Sequence, residues 1–242
     1  KKYILILFVV FIHLLACGQN SNFYNANLNQ NSNRLQGKLR GEVYYLNPIS
    51  NAHYFLQKEW VEGAITLYDG EVFEGMRIRY MAYGDELVAY NSSNRLLFIV
   101  DKSIVKGFTF KWPIGNGLFK ERKFVNLDSL DLPYNRNYFE ELYSGSARLL
   151  GFHKVEEEKV TPYSDKNGKM YDVEYRLNTM YFIVSEEKVF SRIKLKNRSL
   201  YSVYPENKKA IKKILRKSKI NITDEDSAIQ ALKLIDDAGL LK

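Results

Sequence analysis

Between residues 63 and 195 the chain is cut into short runs of alternating apolar and polar residues by turn signals only a few residues apart. That spacing restricts the fold more than any other feature. The stretch Gly63-Ala-Ile-Thr-Leu-Tyr-Asp-Gly70 ends in an Asp-Gly turn signal, residues 76–83 alternate Met76, Ile78 and Tyr80 with Arg77 and Arg79, and Gly84-Asp85 marks a tight reversal. Runs at 87–90, 96–100 and 105–112 follow, separated by Asn91-Ser-Ser-Asn94 and Asp101-Lys-Ser103. A period of two predicts strands. Connections this short cannot hold the crossover that a parallel pair needs, so the strands are expected to be antiparallel.

Pro113, Gly115, Gly117 and Pro133 make 113–137 less regular, and a long connection or a change of sheet is expected there. Strand signals return at 138–143, 147–160, 173–184 and 188–195, with Asp165-Lys-Asn-Gly168 as a hairpin turn. The 18 Tyr and 14 Phe suit half-buried sheet surfaces. After Lys196 the period changes. Ala210, Ile211, Ile214, Leu215 and Ser218 share one helical face, with Lys209, Lys212, Lys213, Arg216 and Lys217 on the other. A second helix is expected from Thr223, with Thr223-Asp-Glu-Asp226 as its capping box, Ala228, Ile229, Leu232 and Ile235 as its buried stripe and Gly239 as its stop. The expected fold class is α+β: a predominantly antiparallel β body of about nine or ten strands in two sets, with a C-terminal two-helix cap.

The formal charge of +8 is local. Residues 196–219 hold nine of the 36 Lys and Arg and one of the 28 Asp and Glu, leaving 27 of each elsewhere. A nucleic-acid-binding face spreads its cations and interleaves aromatic rings, so no nucleic-acid partner is expected. Lys208, Lys209, Lys212, Lys213, Arg216 and Lys217 are candidates for a membrane or partner contact. The competing expectation is that the acids of the next helix, Asp224, Glu225, Asp226, Asp236 and Asp237, balance them across exposed faces.

The single cysteine excludes an intramolecular disulfide and a cysteine-clustered zinc site. It follows Lys1-Lys2, fourteen mostly apolar residues from Tyr3 to Ala16, and the small-residue site Leu14-Leu15-Ala16-Cys17-Gly18. A bilayer span takes about 20 apolar residues and a signal h-region about 7–15, so a removable signal at 1–16 is expected. The absence of Met at position 1 is expected to reflect numbering that starts one residue late. Leu-Leu-Ala-Cys resembles the lipobox of bacterial lipoproteins, which implies acylation of Cys17 and a mature chain beginning there; a secretory cut that releases Gln19 is the alternative. Residues 17–38 would form the anchor and an Asn-rich tether, 39–195 the β-rich body and 196–242 the helical segment.

The pattern Trp60-x-x-Gly63-x-Ile65-x-Leu67-x-Asp69-Gly70 with Ile78-x-Tyr80 resembles the opening of uncharacterised exported proteins of Bacteroidota, which implies an envelope location and a β-rich body. Surface-displayed lipoproteins of that group resemble one another in an acidic run after the cysteine. Here the first acid is Glu42, and the resemblance implies an outer-membrane lipoprotein facing the periplasm.

No catalytic motif is legible. His53 and His153, a hundred residues apart, are expected to be surface or satisfied half-buried residues; no metal or cofactor is expected, and a Gly-x-Ser-x-Gly sequence is absent. The carboxylate pairs Asp85-Glu86 and Glu140-Glu141 and the run Glu156-Glu157-Glu158 are expected to face solvent. Tyr68-Asp-Gly70 with Phe73-Glu-Gly75 resembles one membrane-occupation-and-recognition-nexus repeat, but a repeat fold needs about three copies. Three functions stay open. The first is non-catalytic docking onto another envelope protein through a sheet edge or an exposed aromatic patch. The second is a binding module for a lipid or other apolar small molecule in a cavity between curved sheets, and the third is a carbohydrate-active enzyme with two carboxylates in a cleft.

Overall fold

The structure, a computed structural model, describes residues 23–25, 38–45, 53–91, 95–127, 136–185 and 189–241. The expected signal at 1–16, Cys17, most of the Asn-rich tether and the turn residues Ser92, Ser93 and Asn94 lie outside them. Among the described residues twelve strands form one sheet rather than two sets: β1 Phe23–Asn25, β2 Arg40–Val43, β3 Val61–Leu67, β4 Val72–Met81, β5 Glu86–Asn91, β6 Leu96–Val100, β7 Val105–Gly115, β8 Leu118–Asn126, β9 Tyr138–Ser144, β10 Arg148–Asp165, β11 Gly168–Val184 and β12 Phe190–Ile193. Their order is β1-β2-β6-β5-β4-β3-β7-β8-β9-β10-β11-β12, and every pairing is antiparallel. The short turns account for that direction in the hairpins, whereas β2–β6 and β3–β7 pair across long separations.

Residues 113–126 belong to a hairpin, not a break between sheets, while residues 128–135 of the expected connection, with Pro133, lie outside the described residues. Asn116 and Gly117, at φ 51° and 72°, connect Gly115 to its cross-strand partner Leu118. Two positive φ angles in a two-residue loop match the right-handed twist of the flanking strands, and Asn-Gly is the favoured pair for it. β1 is a second correction, since three residues of the expected tether pair with β2 at the sheet edge.

One sheet nevertheless carries several apolar clusters, two of which frame the candidate functional site. A ring-rich cluster, including Phe73, Tyr80, Phe98, Phe108, Phe124 and Tyr138, fills the curl of β3 to β9 and takes Val155 from β10. Gly63 assists the curl: a Cβ there would lie 2.2 Å from the Thr109 carbonyl oxygen of β7, and the β3–β4 register shifts between Gly63 and Ile65. A second cluster packs Leu149, Ile183 and Ile193 against three helices, α1 Asn197–Val203, α2 Lys208–Lys217 and α3 Glu225–Asp237. Along β10, residues 149, 151, 153 and 155 share one face by the pleat. That face therefore joins the helix-covered core at Leu149 to the first core at Val155, with His153 between them.

The cap has three helices rather than two. Asp224, not Thr223, is the N-cap of α3: its side chain accepts from the Ser227 N–H, and the Ser227 hydroxyl accepts from the Asp224 N–H. Gly239, at φ 68°, ends α3 as expected, with Leu240 N–H donating to Ile235 C=O. α2 ends in the same motif on Lys219 at φ 55°, with Ile220 N–H donating to Leu215 C=O. Lys219→Gly is expected to raise stability by about 0.5–1 kcal/mol, read as a higher thermal midpoint, because a non-glycine residue is strained there. Ala210, expected on the buried face, is exposed, whereas Ile211 and Leu215 are fully buried.

Candidate functional site

Between the two cores, the inner face of the sheet is polar. β8 brings Arg122, two residues from the core ring Phe124 and therefore on the same face; β9 brings Glu140, β10 His153 and β11 Thr179. Arg122 Nε donates to Glu140 Oε1 at 2.6 Å, and Nη2 donates to Oε2. His153 Nε2 lies 2.7 Å from Glu140 Oε2, and Nδ1 lies 2.9 Å from Thr179 Oγ1. An ionised carboxylate only accepts, so Nε2 carries the proton toward Glu140. The Arg122 guanidinium also lies 4.5 Å from the Trp112 ring centroid.

This cluster forms the base of a cleft of about 380 Å³ walled by Leu56, Trp112, Ile114, Lys120, Leu177 and Glu225. Lys120 reaches Asp226 at 3.4 Å, and the Tyr181 hydroxyl donates to Glu225 at 2.9 Å. Burial of Glu140 acts to raise its pKa, yet hydrogen bonds from Arg122 and His153 and the nearby Arg122 charge hold it at about 2. A carboxyl so acidic stays ionised at neutral pH and cannot donate a proton there, and both His153 nitrogens are engaged. The cluster is built to hold β8, β9, β10 and β11 in a fixed relation.

Asp85 forms a second polar hub, at 8% exposure. It accepts from the Tyr80 hydroxyl at 2.7 Å, the Asn137 amide at 2.8 Å, the Tyr138 N–H at 3.2 Å and the Lys102 ammonium. Asp85 and Glu140, expected in solvent, are thus buried and multiply bonded. Only Glu156, Glu157 and Glu158 are exposed as expected. His153 is buried, while His53 is exposed and stacks on Tyr175 at 5.9 Å.

β11 has an open side. β12 pairs with it only from Tyr181 to Val184, so from Gly168 to Met180 no described strand lies on that side. Val173 and Leu177 are exposed along this edge, at 41% and 46%. Where β12 ends and the chain turns toward α1, a groove of about 1020 Å³ opens between Thr179 and Met180 on one side and Lys194, Leu195, Ser199 and Ser202 on the other. Thr179 borders both this groove and the cleft. The cleft holds the charged cluster and the larger groove adjoins the free edge.

Lys208, Lys209, Lys212, Lys213, Arg216 and Lys217 lie together on the exposed face of α2, away from the cleft lining. Cys17 lies outside the described residues. Sequence reading missed the Arg122–Glu140–His153 cluster because its members are 13–31 residues apart on three strands. The one available signal was Arg122 sharing the parity of Phe124. Among the described residues no group of three or more His, Cys, Asp or Glu converges as a metal site, and no helix is long and apolar enough to cross a membrane. No protein-family model, curated protein or solved structure matches the chain.

Proposed function

We propose that this protein is a lipid-anchored component of a bacterial envelope that acts without catalysis, docking another envelope protein by strand addition to the open edge of β11. The free edge from Gly168 to Met180 carries the proposal. A long unpaired edge offers a row of backbone donors and acceptors, and an added strand satisfies them while its side chains occupy neighbouring pockets. The groove at the β12 step supplies such a pocket, and the exposed Val173 and Leu177 supply apolar contact. The lipobox-like Leu14-Leu15-Ala16-Cys17 supports the address. A ligand enclosed in the curl is less favoured, because rings such as Phe108 and Phe124, stacked at 4.7 Å, fill it.

The test is purification of the tagged chain from its native membranes in mild detergent, with mass spectrometry of its N-terminus and of co-purifying proteins. Neighbouring residues of a strand point their N–H groups to opposite sides, so of Arg176→Pro and Leu177→Pro one removes a bond to β10 and the other an outward donor. The outward variant is expected to stay within about 1 kcal/mol of wild-type stability and to lose a stoichiometric partner at least tenfold. A wild-type chain that purifies alone, or a partner retained by both variants, refutes edge docking.

A further inference from the structure

The exposed face of α2 is the largest feature that edge docking leaves unused. Lys208, Lys209, Lys212, Lys213, Arg216 and Lys217 are all exposed, as is Lys219 just beyond the helix, and none makes an ion pair with a described residue. No acid of α3, Asp237 included, makes an ion pair with them among the described residues. Asp224 caps its own helix, Glu225 accepts from Tyr181, Asp226 faces Lys120, and Asp236 accepts from Tyr143 and the Ser146 N–H.

This arrangement works against the helix that carries it. Lys208 and Lys212, Lys212 and Arg216, Lys209 and Lys213, and Lys213 and Lys217 are like charges four apart, each pair costing a few tenths of a kcal/mol. The first turn of α2 has no acid, so two lysines sit at the positive end of the helix dipole. Folding does not need these charges: Ile211 and Leu215, both at 0% exposure, already fasten α2 to the second core. Ile211 and Leu215 are therefore unavailable for insertion into a bilayer, which leaves electrostatic contact as the way this face can meet one.

We infer that the exposed face of α2 rests on the anionic headgroups of a phospholipid bilayer. Six of the seven cations are lysines, compact point charges on flexible stems, and no aromatic residue lies between Lys208 and Lys219. A fluid layer of anionic headgroups can meet such rows at any spacing, whereas nucleic acid recruits stacking rings and a bidentate carboxylate or phosphate site favours arginine. The inference shares with the proposed function only the anchor that brings the body to the bilayer; edge docking can fail without it failing.

The test reconstitutes the full chain on phosphatidylcholine vesicles and on vesicles that also contain phosphatidylglycerol, then reads the acetylation rate of each lysine by mass spectrometry. The lysines of α2 are expected to react several-fold more slowly on the anionic vesicles and to recover in about 0.5 M salt, while the exposed Lys58 and Lys154 react alike on both. Association with phosphatidylcholine vesicles reads the anchor separately. If the chain does not associate with those vesicles, its binding to anionic ones rests on α2, and K208Q/K209Q/K212Q/K213Q is expected to weaken that binding at least about 100-fold. Lysines of α2 that label alike on both vesicles overturn the inference. So does shielding seen only when a co-purified envelope protein is bound, which would assign the face to that protein.

Discussion

Asp85→Ala is expected to cost about 3–5 kcal/mol of folding free energy, measured by denaturant unfolding, because it leaves the partly buried Lys102 without its counter-charge and the buried Tyr80 hydroxyl and Tyr138 N–H without this acceptor. Lys102, partly buried beside Asp85, also donates to the Asp85 backbone carbonyl at 2.7 Å and lies 4.5 Å from the Tyr138 ring. Burial pushes the Asp85 carboxyl up despite the Lys102 charge and the hydrogen bonds it accepts, and burial pushes the Lys102 ammonium down. Both partners are drawn toward neutrality, so taking them out of water costs more than their attraction returns. The double variant Asp85→Asn with Lys102→Met is therefore expected to recover most of the loss, since neither charge then remains to be buried. A double variant no more stable than Asp85→Ala would show that the charges themselves hold the β4–β5 turn to β9.

Glu140 has the opposite sign. Its folded-state pKa, about 2, lies below the ordinary value of 4.5, so its contribution is fully present above pH 4.5 and is lost as pH falls toward 2. The shift corresponds to about 3 kcal/mol. Glu140→Gln is expected to be less stable than wild type by roughly that amount or more at neutral pH, because Arg122, with its side chain 13% exposed, loses its counter-charge. The gap between the two proteins should narrow as pH falls to about 3, and equilibrium unfolding at several pH values reads it. A gap independent of pH would mean that Glu140 holds the cluster by shape rather than by charge. Asp85 cannot produce this acid limb: its pKa is raised in the folded state, so protonation relieves a cost there.

Much of the strand pattern was legible because it is local. Alternation and turn chemistry placed β3 to β6, the long β10–β11 hairpin over Asp165 and Gly168, and the helical change after Lys196. The β7–β8 hairpin was misread because Pro113 and two glycines outweighed Asn116-Gly117, whose positive φ angles suit a tight hairpin. α1 spans seven residues, too few to show a periodic stripe. Asp85-Glu86 and Glu140-Glu141 were read as solvent charge because adjacent strand residues face opposite ways. The rule does not reach Asp85, which sits in the β4–β5 turn at φ 54°, and it does not put Glu141 in solvent, since that side chain is 7% exposed between Lys123 and Arg148.

Whatever depends on neighbours within a few residues was therefore written in the order of the amino acids: strand period, turn type, antiparallel direction and the basic face of α2. Folding alone decided the rest. That one sheet carries several apolar clusters, that Arg122, Glu140 and His153 meet between two of them, that Glu225, Asp226 and Asp236 find partners other than the lysines of α2, and that β12 stops short and leaves β11 open all follow from pairings between residues far apart in the chain. Such pairings are set by how apolar faces find cover in three dimensions, and no local spacing records them.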